Sequence, residues 1–220
     1  MIKRLIKPNY KNNYIVSVII GKKYFKKWDK FASKSWKEYC KKYGIGLIVI
    51  KDHLVEKSNK FWKIPNWQKL LVGKKVSEKF DVNNICLLDC DIIINYHGSP
   101  DIFQFYKNKK SFGLISQVNN LPYDEYVVKK RMAYFRNKYY SKKYPLDSAL
   151  FMKLKDVYKY NKLPPQKDYA CTGVVIFNAK NHSDIMNSWF FKYDKKIKTL
   201  TGGGEEGHFN YEMQKTKKIT

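Results

Sequence analysis

The stretch Ile85-Cys86-Leu87-Leu88-Asp89-Cys90-Asp91-Ile92-Ile93-Ile94-Asn95 constrains the chain more than any other, because an apolar run carries two carboxylates in its middle. A buried, unpaired carboxylate is costly, so both aspartates belong where a strand leaves its sheet and faces solvent, a cation or a ligand. Residues two apart on a strand point to the same side, so Asp89 and Asp91 address one site while Cys90 points into the packing. A divalent ion completed by water and phosphate oxygens suits such a pair. An acidic turn between two strands is the plainer alternative, and spacing alone does not separate the two.

The flanking sequence supplies a frame for that stretch. Tyr14 to Ile20 reads as a buried strand ended by Gly21. Tyr24, Trp28, Phe31, Ala32, Ser35, Trp36 and Tyr39 then recur at helical spacing, which predicts one amphipathic helix closed by Tyr43-Gly44. Gly46 to Ile50 reads as a second strand, leading to Asp52-His53, and Ile64-Pro65-Asn66 opens a helix with Trp67, Leu70 and Leu71 on one side. Strands alternating with helices predict an α/β fold with a mostly parallel central sheet flanked by helices. Ligands of such sheets bind beyond the carboxyl ends of the strands, where Asp52, Asp89 and Asp91 lie.

Further along, Ser99 as N-cap before Pro100 predicts a short helix, and Ser111 to Ser116 a strand. The basic, tyrosine-rich stretch 124–144 reads as a helix or a mobile excursion. Tyr169 to Asn178 is a strand entered through small residues, and Ser183 to Lys198 an amphipathic helix. No repeat, linker or composition shift divides the chain, so residues 1–220 are expected to form one domain.

Lysine and arginine number 44 against 19 acidic residues, a net charge of +25. That favours nucleotides, nucleic acid or an acidic membrane surface as partners. The lysines are spread along the chain, however, and abundant Lys, Asn, Ile and Tyr are what an AT-rich genome yields, so the charge says little about function. The four cysteines show no CxxC or zinc spacing and read as reduced. A cytoplasmic protein, peripheral to a membrane at most, is expected: the run from Tyr14 lacks a cleavage site and no stretch reaches transmembrane length. His97 follows Asp91 in the same loop, within sight of a metal held there, while His53 and His182 stand in no motif, and a simpler polar role is the plainer expectation for all three.

Three segments in order resemble the GT-A-fold glycosyltransferases: Leu87-Leu88-Asp89-Cys90-Asp91, Thr172-Gly173-Val174-Val175-Ile176-Phe177-Asn178 and Glu205-Glu206-Gly207-His208-Phe209-Asn210. The first is similar to that family's Asp-X-Asp motif, the second to its Ser/Thr-Gly-apolar-Phe-Asn strand. The third is similar to a segment of the retaining blood-group-type transferases and, less closely, of the glycogenin-like enzymes. The resemblance spans roughly residues 14–218. It implies a single Rossmann-like GT-A domain, a nucleotide-sugar donor, UDP-linked, and a glycan or lipid-linked acceptor.

By the same resemblance, Asp89 and Asp91 hold Mn²⁺ or Mg²⁺, and Asp89 also touches the donor. Ile20, Gly21, Tyr24 and Asp52 occupy positions where this fold holds the nucleoside, and Thr172 and Gly173 line the donor pocket; apart from the resemblance, Lys69 is placed to reach phosphate, with a solvated lysine on a helix as the plainer alternative. Glu206 acts at the anomeric carbon, with Glu205, His208 and Asn210 as binding residues beside it. The His-X-X-Gly-X-X-Lys-Pro-Trp segment of glycogenin-like enzymes is absent, and the reading allows for a C-terminal extension. Gly-Gly-Gly-Glu-Glu is also similar to a motif of inverting enzymes; Glu-Gly-His-Phe-Asn follows the retaining pattern more closely. Two rival functions exist. A nucleotidyltransferase would want a longer Gly-rich loop than Gly21-Lys22-Lys23, and a basic nucleic-acid-binding module leaves the carboxylate pair unexplained, so no specific nucleic acid is expected.

Overall fold

The computed structural model describes residues 1–117, 153–194 and 204–216. The stretch 124–144, the helix end at 195–198, the glycines before Gly204 and the terminal lysines 217 and 218 lie outside the described residues. The chain packs as two compact units, Met1–Gly113 with Gly173–Lys195, and Leu114–Thr172 with Lys196–Ile219.

The sheet is mixed. Strands β1 (Ile2–Ile6), β2 (Asn13–Val18), β3 (Gly46–Ile50), β4 (Asn84–Leu88), β5 (Gly113–Ser116) and β6 (Ala170–Asn178) lie in the order β1-β3-β2-β4-β6-β5. β2 pairs parallel with β3 and with β4, whereas β1 on β3 and β6 on β4 run antiparallel. The expectation of a mostly parallel sheet therefore holds for the centre and fails at its flanks. Parallel neighbours need the helical crossovers that the sequence alternation displays, and β1 and β6 enter the sheet without that repeat.

In the first unit, Ile15, Leu47, Val49, Cys86 and Leu88 pack with Trp28, Trp36, Tyr39 and Cys40. Those four come from α1 (Lys22–Phe31) and α2 (Ser33–Tyr43), two helices where one was expected. The break falls at Ala32, where φ is −115°. Ser33 Oγ donates to Asp29 O and Ser35 Oγ to Ala32 O, both at 2.8 Å, side-chain bonds that compete with a straight backbone ladder. Alternate strand residues Tyr14, Val16, Ile48, Ile85 and Leu87 face the other way and are equally buried. On that face Phe177 meets Phe112, with ring centroids 6.2 Å apart, and Phe112 meets Trp189 at 5.8 Å.

Trp189 belongs to the long helix Ala179–Lys192, which starts at the Asn178 cap, earlier than the Ser183 expected. The helix opened by Pro65 is segmented into α3 (Pro65–Gln68), a 3₁₀ turn (Lys69–Leu71) and α4 (Val72–Ser77). Ser99 is not a cap: Asp101 is, its Oδ1 accepting from Phe103 N at 2.9 Å to open the short turn Ile102–Gln104.

In the second unit the helix Glu206–Lys215 is tied to the start of β6 by Asn210, whose Oδ1 accepts from Ala170 N at 2.6 Å and whose Nδ2 donates to Ala170 O at 2.9 Å. One side-chain amide thus satisfies both backbone groups of a strand residue, as a neighbouring strand would. Gln214 Nε2 adds bonds to Tyr158 Oη at 2.7 Å and Asp168 O at 2.6 Å. Gly207 has a packing reason, since a Cβ there would stand 2.9 Å from the Asn161 amide. Among the described residues, no helix is long and apolar enough to cross a membrane.

Candidate functional site

Strand β4 ends at Leu88, earlier than the run of isoleucines suggests. The chain then turns, Ile92 N donating to Asp89 O at 3.2 Å, so Asp89 and Asp91 are turn residues and strand alternation does not align them. The turn is held from both sides. Asp89 N donates to Gly173 O at 2.9 Å, and Trp36 Nε1 donates to Ile92 O at 2.8 Å. Cys90 packs against the apolar core, the expected side, although a turn and not strand alternation puts it there.

Both aspartates line a cavity of about 850 Å³ with Ile20, Tyr24, Lys27 and Lys69. Tyr24 is 61% exposed and forms an open aromatic wall. A second cavity of about 410 Å³ shares Ile19 and Ile20 with the first and takes in Gly21, Lys51 and Asp52. Gly21 has φ +105°, a conformation that side chains rarely adopt, and it lets the chain turn from β2 into α1. Asp52 accepts from the Met1 ammonium, which holds its carboxyl below the usual range. The residues expected around a nucleoside are thus divided between two adjoining cavities at the end of β2.

Lys69 Nζ lies 2.5 Å from Asp89 Oδ1, with the lysine side chain 12% exposed and the aspartate 37%. The pairing is one that sequence could not reveal, because the partners are twenty positions apart with α4 and β4 between them. Gln68, missed altogether, fixes the base of that lysine. Its Oε1 accepts from Leu54 N at 2.6 Å and its Nε2 donates to Lys63 O at 2.8 Å, which pins the loop between β3 and α3. The only sequence signal was an amide among the apolar residues Trp67, Leu70 and Leu71.

The donors around Asp89 and Asp91 suit a hard cation. Burial first, and the two carboxylates next, push the Cys90 thiol up, and Cys90 packs against the apolar core, so the carboxylate oxygens are the donors that line the cavity's polar side. Among the described residues no third His, Cys, Asp or Glu joins the two carboxylates. Two carboxylates with the remaining positions left to water and phosphate is a common manner of holding Mg²⁺ beside a nucleotide, and the pair fits such an ion.

Thr172, Glu205 and Glu206 form a cluster of their own in the second unit. Thr172 Oγ1 stands 2.9 Å from Glu205 Oε1 and 3.2 Å from Glu206 Oε2, so one hydroxyl proton serves two carboxylates. Glu205 is 2% exposed and Glu206 is half-buried at the first position of its helix, where free N–H groups favour a negative charge. His208 and Asn210 are buried, and Asn210 is engaged with Ala170 as described above.

No protein-family model matches this chain, and no curated protein does. Among solved structures it is similar to a glycosyltransferase involved in the glycosylation of the major capsid of PBCV-1. The TM-score is 0.47 at 13% identity, over 81% of this chain and 64% of that one. This chain therefore matches less than two thirds of that protein's length, and a likeness at this level bears on no residue or reaction.

Proposed function

We propose that the chain is a glycosyltransferase that moves a sugar from a nucleotide diphosphate donor, a UDP-sugar, to a glycan or lipid-linked acceptor. The observation that carries this reading is the convergence of Asp89, Asp91 and Lys69 on one large cavity at the carboxyl ends of β2 and β4. That is where an α/β sheet with a parallel centre binds its ligands, and cation and carboxylates together match a metal-bound diphosphate. In this proposal the nucleoside lies in the smaller cavity against Gly21 and Asp52, with Ile20 between the two. The diphosphate lies over Lys69, with Tyr24 as the wall beside it.

Asp91 and Asp89 would hold Mn²⁺ or Mg²⁺, and such an ion when bound stabilises the charge that a departing diphosphate develops. Lys69 binds phosphate oxygens and orients the leaving group. Thr172 and Gly173 line the donor sugar. Glu206 is proposed as the carboxylate acting at the anomeric carbon with retention, Thr172 and Glu205 setting its orientation.

Calorimetry with UDP tests the proposal. UDP should bind in the presence of Mn²⁺, and Asp91→Asn should weaken that binding at least about tenfold while circular dichroism stays unchanged. Equal UDP affinity with and without Mn²⁺ would remove the metal assignment; no UDP binding at all would remove the function. Glu206→Gln should keep UDP affinity and lower turnover of a UDP-sugar by about 100-fold or more, and near-normal turnover would show that another group does the chemistry.

A further inference from the structure

We propose that Phe31 and Ile93 form an apolar lip on the large cavity that seats the hydrocarbon chain of the acceptor, which makes the acceptor an amphiphile: a phosphate head joined to an apolar tail. The inference rests on the functional reading above and adds a substrate class to it.

Three side chains that line this cavity are aromatic or aliphatic and still face water. Tyr24 is 61% exposed, Phe31 63% and Ile93 66%. Apolar residues scattered singly over a surface are ordinary, but several on the wall of one cavity mark a surface that a ligand covers. The lip is also firmly built. Ile92 and Ile94 pack against the core and leave Ile93 between them turned outward. Trp36 Nε1 donates to Ile92 O at 2.8 Å, and Ile94 N donates to Ser35 Oγ at 3.2 Å, so the loop is fastened to α2 on both sides of Ile93. Phe31 ends α1 directly before Ala32, which lines the same cavity and opens α2. Both apolar side chains thus stand on one fastened junction, and a ligand chain laid on them has little protein left to order.

Direction along α1 separates this lip from the donor. Tyr24, Lys27 and Phe31, at i, i+3 and i+7, share one face of the helix. Tyr24 stands beside Gly21, on the nucleoside side of the proposed site, and Phe31 follows two turns later, about 10 Å along the axis. Between them Lys27 lines the cavity, one turn from Phe31. The rest of α1 adds Lys22, Lys23, Lys26 and Lys30 against the single acid Asp29. Cations one turn from an exposed phenylalanine and isoleucine match a molecule in which a phosphate adjoins hydrocarbon. A glycan, polar over most of its surface, covers such a lip less well.

Calorimetry on the full chain with two phosphates that differ in their organic group, ethyl phosphate and geranyl phosphate below its micelle-forming concentration, tests this without turnover. The wild type should bind geranyl phosphate at least about tenfold tighter than ethyl phosphate. Phe31→Ser and Ile93→Ser should each lose about fivefold in affinity for geranyl phosphate, keep their affinity for ethyl phosphate, and bind UDP with Mn²⁺ as the wild type does. Phe105→Ser, which removes an aromatic ring 70% exposed and outside the cavity, should change none of these. Thermal melts identify a variant that has lost its fold, and the other lip variant then supplies the comparison. Equal affinity of the wild type for the two phosphates would overturn the inference, and so would the same loss in Phe105→Ser as in the lip variants. Either result leaves the functional reading intact, provided the wild type binds UDP with Mn²⁺. A wild type that binds no UDP with Mn²⁺ would overturn that reading and the acceptor role with it.

Discussion

The imidazole of His208 is 4% exposed, and burial pushes its pKa down to about 4, with Glu212 pulling weakly the other way. In the unfolded chain a histidine titrates near its ordinary value of about 6.5. As pH falls through that value the unfolded state takes up a proton that the native state refuses, so stability declines from about pH 6.5 until the native group itself protonates near 4. Urea melts between about pH 7 and 5 should show wild-type stability falling by up to ~1.4 kcal/mol per unit from this group, and His208→Gln should flatten the slope. An unchanged slope in that variant would assign the acid sensitivity elsewhere. Asn210 makes a related point about reading roles from motifs. Its place in Glu-Gly-His-Phe-Asn marks it as a ligand contact, yet its amide is committed to both backbone groups of Ala170. Hydrogen-bonding capacity used inside the fold leaves no trace in the residue type.

The α3 segment shows how an element can be legible while its task is not. Pro65 at the first helical position and the apolar spacing after it announce a helix, and one forms. Its decisive residue is Gln68, whose amide serves Leu54 and Lys63 in a loop that sequence leaves blank. Gln68→Leu should leave those two backbone groups without their partner and cost about 2–6 kcal/mol in a chemical melt, because each unsatisfied group costs about 1–3 kcal/mol. A loss below ~1 kcal/mol would mean that water replaces the amide. Strands β2, β3 and β4, and β6 over Val175, Ile176 and Phe177, were legible as apolar runs because they are buried on both faces. β1 was not, since Lys3 and Arg4 interrupt it at a position that water reaches. The antiparallel flanks depend on partners distant in the chain, which composition does not encode, and the break at Ala32 on local bonds from Ser33 and Ser35 that a helical spacing of apolar residues does not display. The carboxylates of the candidate site stood out because charge is rare in an apolar run; the lysine that meets one of them did not, because exposed lysines are everywhere in this chain.

At the scale of the whole chain the net charge of +25 is the dominant property. On α1, Lys22, Lys23, Lys26, Lys27 and Lys30 are exposed beside Tyr24 and Phe31, which is the composition of a helix that rests on an anionic surface. For an enzyme with a lipid-linked acceptor, sedimentation should find the protein on vesicles containing anionic lipid at about 0.05 M salt and free at about 1 M, where the Debye length shrinks to ~3 Å. Failure to bind anionic and neutral vesicles alike would leave the lysines as a product of genome composition. Strand β1 bears on a different property. It ends the sheet beside β3, whose Gly46–Ile50 segment is apolar and wholly buried. β1 covers that segment with a strand that carries Lys3 and Arg4 outward and slips register between Arg4 and Ile6. Charge and irregularity on an outer strand discourage a second sheet from adding to it. Ile2–Ile6 thereby makes that edge of the sheet a poor template for the strand of a second copy.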